Sequence, residues 1–141
     1  MTTTDISPAL AASQGSWRAV HARDKEAWLA LMADDVVIED PIGHAPTNAD
    51  GNGVRGKEAV GVFYDTIVGK GNTTITCEET FPSSSPDEIA HILTLRFQFG
   101  KGRSSSVRGV FTYRVDDAGK ITNLRGYWNM DAMVFSQPET N

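Results

Sequence analysis

Nearly all helical spacing in this chain falls before Val68, and nearly all long alternating runs fall after it, beginning at Thr73. Pro8 to Ala22 reads as a helix with Trp17 and Val20 three apart on one side. Asp24 caps a second short helix with Trp28, Leu31 and Met32 on one face. A third helix is expected over about Gly56 to Val68, where Val60, Phe63, Tyr64 and Ile67 form one apolar stripe. Four strand-like runs follow, at Thr73 to Phe81, Glu88 to Phe99, Ser105 to Val115 and Ile121 to Asn129. A loop from Pro82 to Asp87 joins the first two, and Asp116-Asp117-Ala118-Gly119 turns a hairpin between the last two. Helices first and antiparallel strands afterwards give an α+β fold, with three N-terminal helices packed into a curved, mostly antiparallel sheet and a pocket at its open end. The 141 residues suit one domain, with an ordered core over about 8–135.

One strand interrupts the helical half, at about Val36 to Asp40 within Met32-Ala33-Asp34-Asp35-Val36-Val37-Ile38-Glu39-Asp40-Pro41-Ile42-Gly43. Strand side chains alternate, so Asp40 shares a face with Val36 and Ile38. If that face is the core, a carboxylate sits at the rim of an apolar cavity. Desolvation there raises its pKa and makes the ionised form a better base, which suits removal of a proton from carbon. The simpler alternative is that Asp40 only turns the strand before Pro41. The Gly-, Pro-, Asn- and Asp-rich segment from Pro41 to Gly53 is a long loop, of the kind that is functional or mobile.

A net charge of −5 argues against nucleic acid as a partner, and the basic cluster Lys101, Arg103, Arg108 reads as a solvated hairpin. Cys77 is the only cysteine, so neither an internal disulfide nor a cysteine-based metal motif is available. No apolar stretch reaches membrane-span length, and the start Met1 to Pro8 does not look like a secretory leader, so a cytoplasmic protein is expected. His21, His44 and His91 lie far apart without helical pairing, which speaks against a zinc site. His44 follows Asp40 closely enough to bond it or to remain solvated. There is neither a phosphate-binding glycine loop nor a Gly-x-Ser-x-Gly element, so no nucleotide, metal or other cofactor is expected.

Ala33-Asp34-Asp35, Glu39-Asp40-Pro41-Ile42-Gly43, Phe63-Tyr64 and Ala118-Gly119-Lys120-Ile121 together resemble the ketosteroid isomerase-like branch of the NTF2-like (SnoaL-like) superfamily. The resemblance spans about Ser16 to Trp128, and the Asp-Pro-x-Gly strand end is its most specific part. It implies an α+β cone, usually a homodimer, whose pocket takes a flat hydrophobic ligand such as a steroid. It also implies that Asp40 moves a proton to convert a Δ5-3-ketosteroid into its Δ4 isomer. In that family an oxyanion hole of a tyrosine and a protonated aspartic acid assists the base. Carried onto this chain without gaps, those two positions fall on Ser16 and Phe111, and neither supplies the usual donor. A second family tyrosine is retained as Tyr64, the first choice of substitute donor, followed by the indole N–H of Trp17 or Trp128 and by Ser16 through a water.

Phe111 belongs to the alternating set Val107, Gly109, Phe111, Tyr113, Val115. With Trp17, Val20, Trp28, Met32, Phe63, Phe97 and Trp128 it is expected to wall the pocket, although any one of these could be plain core. The expected function is a cofactor-independent steroid isomerase with Asp40 and Tyr64 as catalytic groups. The alternatives are a steroid or lipid binder without useful turnover, a dimeric interaction module, and a cyclase or epoxide hydrolase on the same fold.

Overall fold

A computed structural model describes residues 6–136 of the chain. The start read above for a leader begins in residues 1–5, outside the described residues. Helix α1 runs Pro8–His21, with Ser7 as N-cap accepting a hydrogen bond from the Leu10 amide. Helix α2 is Lys25–Ala30, capped by Asp24 through the Ala27 amide. Strand β1 covers Met32–Glu39 and β2 Val54–Arg55, followed by α3 at Lys57–Phe63. Strands β3 (Asn72–Pro82), β4 (Glu88–Gly100), β5 (Arg103–Val115) and β6 (Ile121–Tyr127) then form the sheet, and β7 (Val134–Ser136) is the last described element.

The sheet order is β2-β1-β6-β5-β4-β3, with β7 pairing along β5 beyond the end of β6. All pairings are antiparallel except β1 with β6, in accord with the α+β expectation. Val36, Ile38, Leu93, Val107, Phe111 and Ile121 on its inner face pack with Ala9, Val20, Trp28 and Val60 from the helices.

Three boundaries differ from the sequence expectation. Met32 is not helical: the Ile121 amide bonds the Leu31 carbonyl at 2.8 Å and Lys120 Nζ bonds the Ala30 carbonyl, so pairing with β6 stops α2 and starts β1 four residues early. The third helix changes character at Tyr64, becoming a π-helical turn over Tyr64–Val68 closed by the Gly69 amide on the Tyr64 carbonyl. Strand β7 lies beyond the last expected strand.

The loop after β1 is fastened rather than loose. The Asp40–Pro41 peptide is cis. Buried Asn48 donates from Nδ2 to the Pro41 carbonyl and accepts at Oδ1 from the Gly53 amide, tying the two ends of the loop together. Thr47 Oγ1 donates to the Asp40 carbonyl. His44 bonds the Ala49 carbonyl and not Asp40.

Candidate active site

Asp40 directly follows β1, beside Gly126 of β6, because the parallel register sets Glu39 against Arg125. Those two also form an ion pair at 3.1 Å. Gly126 is required for space: a methyl group there would lie 2.8 Å from the Phe111 ring and 3.0 Å from Asp40 Oδ1. Trp128, two residues on, donates from Nε1 to Asp40 Oδ1 at 2.7 Å. Gly109 of β5 likewise lets β6 approach, since a Cβ would meet the Tyr127 carbonyl at 2.7 Å.

Asp40 is half-buried in the cavity wall, and desolvation there pushes its pKa up to about 6, with the Trp128 hydrogen bond pulling the other way. At neutral pH Asp40 is therefore ionised yet more basic than an ordinary aspartate, as a general base should be. The cavity it faces is almost wholly apolar. Ser16, Val20, Trp28, Phe63, Phe97, Phe111 and Trp128 all line it. Ile67, Val68, Leu93, Leu95, Leu124 and Met133 complete the apolar wall, and Tyr113 adds a polar tip. The cavity is small, about 90 Å³. Its apolar lining suits a hydrophobic ligand. An outer hollow of about 440 Å³ adjoins it, sharing Thr47, Ile67, Thr73, Phe97, Trp128 and Met133.

Three expected ligand-facing residues lie elsewhere. Met32 is 1% exposed within the core, because it has joined β1. Tyr64 packs its ring against Trp28 at 5.3 Å and is not part of the cavity wall. Trp17 stands behind the wall, donating from Nε1 to Tyr113 Oη at 2.9 Å with its ring edge-on to His91. Ser16 Oγ donates to the Ser13 carbonyl at 2.8 Å.

Tyr113 is the functional candidate that the sequence reading passed over. It occupies the inner face of β5 two positions beyond Phe111 and is 3% exposed. Burial is the main cause holding its phenol above the usual range, and the Asp40 charge adds to it. Behind it lies fully buried His91, whose Nε2 bonds Ser13 Oγ at 3.1 Å and whose Nδ1 bonds Thr80 Oγ1 at 2.9 Å. The Ser13 hydroxyl donates to the Ala9 carbonyl, so His91 carries its proton on Nε2. Burial brings its pKa down to about 4. Among the described residues no group of three or more His, Cys, Asp or Glu could hold a metal ion, and no helix is long and apolar enough to cross a membrane.

A family model described as SnoaL-like domain matches residues 14–124. The crystal structure of RV0760c from Mycobacterium tuberculosis is 68% identical, with a TM-score of 0.92 over 95% of this chain and 100% of that one. The same protein has also been seen in complex with estradiol-17beta-hemisuccinate, at 69% identity and a TM-score of 0.90 over 92% of this chain and 99% of that one. A Delta 5-3-ketosteroid isomerase from Mycobacterium sp. is 66% identical, with a TM-score of 0.91 over 93% of this chain and 100% of that one.

Proposed function

The chain belongs to the SnoaL-like domain family, and from that premise we propose that it is a Δ5-3-ketosteroid isomerase with Asp40 as the proton carrier. The observation carrying this reading is a base of pKa about 6 in the wall of an almost wholly apolar cavity. The likeness to a ketosteroid isomerase at 66% identity supports the substrate class. The ionised carboxylate takes a proton from the carbon between the ketone and the double bond. The electron pair moves through the new enolate into conjugation, and Asp40 returns the same proton two carbons further along. The reaction is redox-neutral. Trp128 orients the carboxylate, and the aromatic and aliphatic wall holds the ring plane so that both carbons stay within reach of one acid.

The test is conversion of androst-5-ene-3,17-dione by the wild type and by Asp40→Asn. Loss of the base lowers kcat by about 10²–10⁴-fold or more. Equal rates would remove Asp40 from the mechanism. A second reading, steroid binding without turnover, is favoured by Ser16 and Phe111 standing where the family carries its oxygen-end donors. Saturable steroid binding with a wild-type rate no faster than buffer would establish it instead. A pair of copies in solution and a cytoplasmic setting belong to the same proposal. The first is supported by the exposed Val110, Tyr127 and Phe81 on the outer face of the sheet.

A further inference from the structure

Removing a proton next to a ketone puts negative charge on the ketone oxygen, and in an apolar cavity that charge needs a hydrogen-bond donor. We propose that Tyr113 is that donor, a catalytic residue whose hydroxyl meets the enolate oxygen and is held in place by Trp17. This assignment rests on the isomerase reading above.

The hydrogen-bond inventory carries it. An indole N–H can only donate, so the 2.9 Å contact from Trp17 Nε1 makes Tyr113 Oη the acceptor there, and the phenol's own hydrogen is left to turn either to the neighbouring Ser16 Oγ or to a ligand oxygen in the cavity. Ser16 gives its own hydrogen to the Ser13 carbonyl, so beside Tyr113 it competes only as an acceptor. Every rival donor is spent or misplaced. The Trp128 N–H is committed to Asp40, the Trp17 N–H to Tyr113 and the Ser16 hydroxyl to Ser13. Tyr64 lies outside the cavity wall. Tyr113 instead shares that wall with Asp40. Its ring is braced by edge-on contacts at 6.3 Å from Trp17 and 5.6 Å from His91, which fix the direction of the hydroxyl. Burial keeps the phenol protonated throughout the working pH range, so it remains a donor wherever Asp40 is a base. By accepting from Trp17, the phenol oxygen also makes its own hydrogen a stronger donor. The chain has thus lost a donor at Phe111 and regained one two residues along the same strand face.

The test is Tyr113→Phe, which keeps the ring and removes only the hydroxyl, with Trp17→Phe as the second variant and melting followed for both. Tyr113→Phe is expected to lower kcat by about 10²–10³-fold with KM little changed. The rise in rate near pH 6 set by Asp40 should persist. Affinity for estradiol, whose phenol mimics the enolate oxygen, should fall at least 10-fold. Trp17→Phe should lower kcat by about 10-fold with KM unchanged, because it removes only the group that aims the phenol. Unchanged kcat and unchanged estradiol affinity in Tyr113→Phe overturn the assignment. If that variant does not fold, an unchanged kcat in Trp17→Phe overturns it. If the wild type proves inactive on the ketone, the isomerase reading fails, while loss of estradiol affinity in Tyr113→Phe still identifies the oxygen-end donor.

Discussion

Asp40 and Trp128 act as one unit at the residue scale. Burial raises the carboxyl pKa, and the indole hydrogen bond at 2.7 Å restrains the rise. Trp128→Phe keeps the wall and removes the restraint, so the inflection of kcat/KM against pH should move above 6, with activity lost first at acid pH and recovered toward alkaline pH. An inflection at or below 6 would show that the indole does not set the basicity of the acid. Alternation along β1 made the position of Asp40 legible in the sequence, because a period of two needs only local residues. The partner of Trp128 lies 88 positions away and that of Trp17 96 positions away, so neither N–H could be assigned before the fold was known. Tyr64 shows the opposite failure. Its helical spacing correctly implied burial, but the π-helical turn shifts the register, leaving Ile67 and Val68 at the cavity and Tyr64 against Trp28.

Among the elements, the long strands were the most legible, since β4 and β5 alternate over thirteen residues each. Strand β1 begins earlier than local propensity implies, because its first residue is defined by a partner on β6. Three-residue β7 has too short a pattern to be read and exists by pairing with Ser104–Ser106. The outer sheet face carries a further consequence. Val110 pairs directly with Tyr127 and the two are 40% and 53% exposed, with Phe81 on the same face of β3. Apolar side chains on a sheet face turned away from the core favour association with a second copy. Sedimentation should show a dimer for the wild type and mostly monomer for Val110→Glu. A wild type that sediments as a monomer at every concentration would remove the pair.

Over the whole molecule, two buried ionisable groups pull stability in opposite directions. Between its ordinary 3.8 and about 6, Asp40 is protonated when folded and ionised when unfolded. Its contribution therefore falls with rising pH, by roughly 3 kcal/mol in all. Between about 4 and its ordinary 6.5, His91 is neutral when folded and protonated when unfolded. Its contribution rises with pH by a similar amount, roughly 3 kcal/mol. Over about pH 4 to 6 the two cancel, because the folded and the unfolded chain each hold one proton on this pair and differ only in which side chain bears it. Asp40→Asn leaves the histidine alone, so urea unfolding should show its stability climbing by roughly 3 kcal/mol from pH 4 to 6.5. Above pH 6 the variant should exceed the wild type by a similar margin. A variant with a pH profile parallel to that of the wild type would contradict this balance.

The place of Asp40 in one wall of the cavity has a stereochemical consequence. A lone acid anchored at the end of β1 reaches a planar guest from a single flank, so departure and return of the hydrogen occur on the same face of the skeleton. The mirror-image ring fusion would present the wrong hydrogen to Asp40, and the cavity thereby selects handedness as well as shape.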